Sequence, residues 1–175
     1  MSDFFTLSVL VATFASGVRT AMPYLLASLG ETIGQRSGVL NLGVDGVMLL
    51  GAFGAYYTVL ETENHWLGVL VGLGVGLCMG VVYGIVTVVF QAQQGISGIG
   101  IFLFGLGFSD LLFQELVGTP QPIKALPKVE IPLLADIPYL GDALFSHNLL
   151  TYAAFLLVPV VTWLLMRTTF GLDVR

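Results

Sequence analysis

The chain has 175 residues, of which 56% are hydrophobic and only 10% charged. Its formal net charge of −5 argues against a nucleic-acid partner, and its single cysteine, Cys78, excludes a disulfide within the chain. Residues 66–109 contain no Asp, Glu, Lys, Arg or His. Because a helix of about 20 apolar residues crosses a bilayer, this run is long enough for two spans and indicates an integral membrane protein surrounded by lipid.

Apolar segments in chain order predict an all-α bundle of about five transmembrane helices. No signal peptide with a basic start and a cleavage site is present, so we expect the first segment to stay in the mature protein. Polar stretches at 31–37, 61–65 and 91–95 separate the first four segments. The predicted spans cover residues 4–29, 39–60, 66–90, 96–113 and 149–166.

A long loop, residues 114–148, holds five of the seven prolines and is too polar to span. Its apolar patches at 131–134 and 139–145 predict ordered packing on the membrane surface. Lys and Arg in short loops favour the cytoplasmic side. Three arginines on one side (Arg36, Arg167 and Arg175) against two lysines on the other (Lys124 and Lys128) therefore predict a cytoplasmic C-terminus, with the N-terminus and the long loop outside.

Glycines recur every fourth residue in the third predicted span. Small residues let helix backbones approach closely inside a bilayer, where packing drives association. The pattern predicts one face docked against a neighbouring helix, or alternatively a surface that slides during transport. The face comprises Gly68, Gly72, Gly76, Gly80 and Gly84.

Residues 38–46 form the least ordinary segment, because they combine three glycines with Asn41 and Asp45. Irregular backbone at membrane depth is tolerated only where protein or a water-filled cavity satisfies its polar groups, and broken helices often line transport sites. Asn41, Gly43, Asp45 and Gly46 are therefore candidates for a substrate path. The alternative is an interfacial turn followed by a helix that starts near Asp45, where the helix dipole favours a carboxylate.

Intramembrane carboxylates are costly, so they mark functional candidates. Asp45 and Asp110 could couple an ion gradient to transport in a secondary transporter or channel. Asp110 lies three residues before the predicted end of its span, so it could also reach the interface. The sequence shows no catalytic constellation, metal-ligand cluster or phosphate-binding loop. We therefore expect no enzyme activity, metal or cofactor in this chain, and any ATPase on another polypeptide.

Two motifs carry a resemblance to a known family. The segment Ser37-Gly-Val-Leu-Asn-Leu-Gly43 followed by Gly46, and the tail Arg167-Thr-Thr-Phe-Gly-Leu-Asp-Val-Arg175, resemble bacterial ABC importer permeases. The superfamily is the branched-chain amino acid/ribose type, and within it the chain is similar to the simple sugar/nucleoside subfamily.

The resemblance implies a multi-pass protein of the bacterial inner membrane that moves nucleosides or simple sugars. It implies three kinds of partner: a second permease subunit, a cytoplasmic ABC ATPase that binds ATP, and an extracytoplasmic substrate-binding protein. By the same match, Gly171, Asp173 and Arg175 open the region that couples to the ATPase. Family members are longer, so we expect residues 1–175 to form a single transmembrane permease domain that is truncated at its C-terminus.

Overall fold

The computed structural model describes residues 7–130 and 146–174, and these are predominantly helical. The predicted all-α class is confirmed, with one small two-stranded sheet added. The elements are α1 (Leu7–Arg36), α2 (Val44–Thr62), α3 (His65–Gly84, continued by a π-helical turn at Ile85–Val89), α4 (Gln94–Leu116), β1 (Lys128–Glu130), β2 (Ser146–Asn148), α5 (Leu149–Arg167) and α6 (Phe170–Asp173).

Within the described residues, four helices are long and apolar enough to cross a membrane, namely α1, α3 with its π turn, α4 and α5. The remaining predicted span is α2, a helix of 19 residues that includes Asp45 and Glu61. Helix α2 packs against both α3 and α4, whereas α3 and α4 have few contacts with each other. Much of the α2 surface therefore faces protein rather than lipid.

Several predicted boundaries were wrong. The polar stretch at 31–37, expected to lie between two spans, is largely the end of α1, which continues through Pro23 to Arg36. Helix α2 starts at Val44 rather than at residue 39, because residues 37–43 form a non-helical loop. Helix α4 extends two residues further at its start and three at its end than the predicted 96–113.

Helices α2 and α3 form a tight hairpin. Only Glu63 and Asn64 separate them. Glu63 adopts the left-handed conformation at φ 53°, and its N–H donates to the Val59 carbonyl oxygen at 2.9 Å. The Asn64 side chain accepts hydrogen bonds from Trp66 N at 3.0 Å and Leu67 N at 3.3 Å, so both helix ends are capped.

The described residues fall into two compact units, and the second is residues 31–125. The first contains residues 7–30, 126–130 and 146–174. In it, β1 and β2 pair antiparallel with Val129 opposite His147, a sheet that the sequence did not predict. The Tyr152 hydroxyl donates to Val129 O at 3.0 Å and accepts from His147 N at 3.2 Å.

The Asn148 side chain caps the start of α5 by accepting from Thr151 N at 3.0 Å. The apolar patches at 131–134 and 139–145 lie outside the described residues. The single-domain expectation for residues 1–175 stays a prediction.

Candidate functional site

The α1–α2 loop, residues 37–43, is held by side chains from three helices. From α1, the Glu31 carboxylate accepts a hydrogen bond from Asn41 N at 2.9 Å. The same oxygen, Glu31 Oε1, also accepts from Gln35 Nε2 at 3.2 Å. The carboxylate thus satisfies a backbone donor in a segment that has no helical partner for it.

Gln94, the first residue of α4, makes two hydrogen bonds to the backbone of the α1–α2 loop. Its Oε1 accepts from Leu40 N at 2.9 Å, and its Nε2 donates to Gly38 O at 3.0 Å. From α3, the Tyr83 hydroxyl lies 2.5 Å from Leu40 O and 3.1 Å from Gln94 O. Its single proton can be donated to one of these carbonyl oxygens at a time. Together with Glu31, these side chains supply the polar partners that irregular backbone in a membrane requires.

The Asn41 side chain stabilises the turn that leads from the α1–α2 loop into α2. Its Oδ1 accepts from Gly43 N at 2.8 Å, which is the local turn that asparagine side chains favour. Asp45 lies exposed in the first turn of α2, as the alternative of a turn followed by a helix predicted. The assignment of Asn41, Gly43, Asp45 and Gly46 to a substrate path stays a prediction.

Gly43 and Gly46 are buried where α2 crosses α4. A Cβ added to Gly43 would lie 2.7 Å from Gly98 O, and one added to Gly46 would lie 2.7 Å from Ile101 O. A Cβ on Gly105 would overlap the Gly46 carbonyl group. These glycines therefore allow close backbone contact between α2 and α4, and the structure gives Gly43 and Gly46 a packing role.

The glycine face of α3 divides into two halves. A Cβ on Gly68 would lie 2.9 Å from Ala55 O, and one on Gly72 would lie 3.3 Å from Gly51 O, both in α2. At the other three positions a Cβ would meet no described atom within 4 Å. A four-residue step turns about 40° beyond one full helical turn. The face therefore rotates away from α2 along the helix, and Gly76, Gly80 and Gly84 lie in open space.

The tail after α5 folds back on the helix end. Gly171 is buried, and a Cβ there would overlap the Leu165 backbone. Its N–H donates to Thr168 O at 3.2 Å. Asp173 is exposed, and Arg175 lies outside the described residues. The predicted coupling region thus begins with a short helical turn fixed against the end of α5.

A groove of about 630 Å³ lies between α2 and α4. It is lined mainly by apolar and aromatic side chains, with Asp110 as its carboxylate. Asp110 Oδ2 accepts a hydrogen bond from Gln114 Nε2 at 2.7 Å. Since α4 continues to Leu116, Asp110 is six residues from the helix end, rather than the three that the predicted span allowed.

Sequence reasoning found the irregular segment but missed Tyr83 and Gln94 as its partners. The signal for Gln94 was present, because it belongs to the polar break at 91–95 inside an uncharged run. Tyr83 carried no such signal, since a tyrosine in an apolar span is ordinary. The role of Glu31 is visible only in the folded chain, because its acceptor function depends on the path of the backbone ten residues later.

Comparison with known proteins identifies the family. Residues 13–175 match the family described as branched-chain amino acid transport system, permease component. This chain belongs to that family. With four apolar helices among its described residues, the permease chain is a multi-pass membrane protein.

The permease chain is 36% identical to a putative glucose ABC transporter permease of Haloferax volcanii, over 93% of this chain and 51% of the relative. It is 31% identical to a guanosine ABC transporter permease of Bacillus subtilis, over 89% and 52%. A nucleoside ABC transporter permease of Lactococcus lactis is 27% identical, over 97% and 56%. The chain thus spans about half the length of these curated relatives. No solved structure matches it.

Proposed function

We propose that this chain belongs to the transmembrane permease subunit of an ATP-driven importer, which moves nucleosides or simple sugars delivered by a binding protein. The family match over residues 13–175 carries the proposal. The names of the relatives support the solute classes, since they are permeases for glucose, guanosine and nucleosides.

The proposed assembly lies in the cell membrane. It contains a second permease subunit, a cytoplasmic ABC ATPase that holds the ATP, and an extracytoplasmic binding protein. The chain itself contributes no cofactor. The tail at Gly171, Asp173 and Arg175 would contact the ATPase, and the exposed side chains of Phe170 and Leu172 beside Asp173 support a protein contact there.

The α1–α2 loop supports a transport role within this assembly. Its polar groups are bonded to Glu31, Tyr83 and Gln94, each from a different helix. A loop held in this way can transmit a shift of one helix to the other two. We propose that Asn41 and Asp45 border the path that the solute takes past this loop.

The experiment is reconstitution of the complete transporter in liposomes with its ATPase, its second permease and its binding protein. We expect uptake of radiolabelled guanosine or glucose that requires ATP hydrolysis and the binding protein. A non-hydrolysable ATP analogue serves as the control. Uptake driven by an ion gradient without the ATPase would overturn the proposal in favour of a secondary transporter or channel that uses Asp45 and Asp110.

A further inference from the structure

The α2–α4 groove combines aromatic faces with one carboxylate. Phe53 and Tyr56 of α2 line it from one side, Asp110 and Phe113 of α4 from the other, and Gln121 also belongs to the lining. Its volume of about 630 Å³ lies within the range of small-molecule sites, which are typically concave and mostly apolar with a few polar groups. The groove therefore has the size and lining of a solute site.

The depth of Asp110 in α4 makes its carboxylate a functional candidate. Six residues separate it from the helix end at Leu116, which is about 9 Å along the axis. The bond from Gln114 Nε2 occupies one acceptor position on Oδ2, and an ionised carboxylate has several more. Since a charge at this depth is costly, further donors from a bound solute would stabilise it.

Two aromatic side chains of the groove, Tyr56 and Phe113, are held in place without a solute. The Tyr56 hydroxyl donates to Gln121 O at 2.8 Å and accepts from Gln121 N at 3.0 Å. The Tyr56 and Phe113 ring centroids are 6.1 Å apart with a 36° tilt. A ring held at its hydroxyl in this way presents a fixed face, so binding a flat solute there orders few additional side-chain rotamers.

We propose that this groove binds a nucleoside, with its base against the rings of Phe53, Tyr56 and Phe113 and its ribose hydroxyls donating to Asp110. The inference rests on the proposed function and selects between its two solute classes. A nucleoside has a flat unsaturated base, which can stack on the aromatic rings, and a vicinal pair of ribose hydroxyls, which can donate to one carboxylate. A hexose has no such π face, so the three aromatic side chains favour the nucleoside.

The same carboxylate predicts selectivity against nucleotides. A 5′-phosphate on the same ribose would add negative charge near the Asp110 carboxylate, and like charges repel. The groove should therefore accept guanosine and reject guanosine monophosphate.

Thiol accessibility in the complete transporter tests the site without relying on transport. Ser109→Cys places a thiol in the groove wall, in a background where the exposed Cys78 is replaced by alanine. We expect a membrane-impermeant thiol reagent to label it, and millimolar guanosine to slow labelling several-fold. Leu111→Cys, on an exposed α4 position outside the groove lining, is the matched control and should not respond to guanosine.

Four results would overturn the inference. The introduced thiol would stay unlabelled if another helix or lipid covers the groove. Protection by glucose and not by guanosine would assign the site to sugars. Labelling that no solute slows would leave a water-filled groove without a binding role. Protection by guanosine monophosphate equal to that by guanosine would remove the role of the Asp110 charge.

Uptake measurements on the same transporter distinguish a failure of the proposed nucleoside site from a failure of the proposed importer function. We expect Asp110→Asn to raise the KM for guanosine about tenfold, as loss of a hydrogen bond to a charged group does. Glu115→Gln, an exposed carboxylate five residues later, should leave the KM unchanged. Normal ATP-dependent uptake by Asp110→Asn would overturn the site and leave the importer standing. Failure of the unmodified transporter to import either solute would instead count against the importer itself.

Discussion

Gly46 of α2 and Gly105 of α4 meet backbone to backbone, because a Cβ on Gly105 would overlap the Gly46 carbonyl group. Both residues are buried. Between helices in lipid, such close approach is the main source of association, since the surrounding acyl chains are as apolar as the side chains. The contact places the start of α2 against α4 and so determines where the α1–α2 loop lies.

We expect Gly46→Ala to destabilise the complete permease by about 1–3 kcal/mol, the usual cost of forcing extra volume into a packed contact. The added methyl would lie 2.7 Å from both Ile101 O and Phe102 Cα. Gly100→Ala on α4 is the control, since its Cβ would meet nothing within 4 Å. Thermal unfolding in detergent measures both, and equal midpoints for the two variants would show that α2 and α4 do not touch as described.

Tyr83→Phe should loosen the α1–α2 loop. The change removes the hydroxyl that lies 2.5 Å from Leu40 O and 3.1 Å from Gln94 O, and a lost hydrogen bond typically costs about 1 kcal/mol. We expect faster hydrogen exchange at residues 38–42, measured by mass spectrometry of the detergent-solubilised permease.

The control for that measurement is Tyr57→Phe, a tyrosine of α2 whose hydroxyl makes no hydrogen bond to the described residues. It should leave exchange in the loop unchanged. If Tyr83→Phe behaves like this control, the loop is held by Glu31 and Gln94 without help from α3.

Asn41→Leu should impair uptake while the transporter still assembles. The substitution removes the side-chain oxygen that accepts from Gly43 N at 2.8 Å, and leaves Asn41 N bonded to Glu31. Uptake of labelled solute into proteoliposomes, beside subunit stoichiometry by size exclusion, measures the two effects separately. Leu40→Ala is the neighbouring control, because only the backbone of Leu40 is bonded. Full uptake by Asn41→Leu would remove Asn41 from the solute path.

Gly171→Ala should weaken association with the ATPase without preventing membrane insertion. An added Cβ would overlap the backbone of Leu165, so the short helix α6 would move away from the end of α5. Co-purification of the ATPase with the complete permease measures the loss, and we expect at least a several-fold reduction. Gly17→Ala, at an α1 position with no atom within 4 Å, should retain the ATPase. Undiminished association of the Gly171→Ala variant would place ATPase coupling elsewhere.

Much of the helical layout could be predicted, because each helix that crosses a bilayer requires a continuous apolar stretch of sequence. Spans at α3, α4 and α5 were predicted within a few residues, since a continuous apolar run of about 20 residues is needed to cross the hydrocarbon core. The irregular backbone before Asp45 was also predictable, from three glycines and an asparagine in nine residues. The start of α2 was placed five residues too early, because Val39 and Leu40 are as apolar as the residues of a span.

The sequence by itself therefore determined that this is a helical membrane protein, that residues 38–46 contain irregular backbone, and which permease family the chain resembles. Only the tertiary structure decided which glycines touch a neighbour and which polar groups hold the α1–α2 loop. The physical reason is that regular glycine spacing does not specify a helix's rotation: a four-residue repeat drifts around the axis, so Gly68 meets α2 while Gly84 faces open space. Tyr83 donates to Leu40 O from 43 positions away, and Leu40 N donates to Gln94 Oε1 across 54 positions. Packing of the helices brings these residues together.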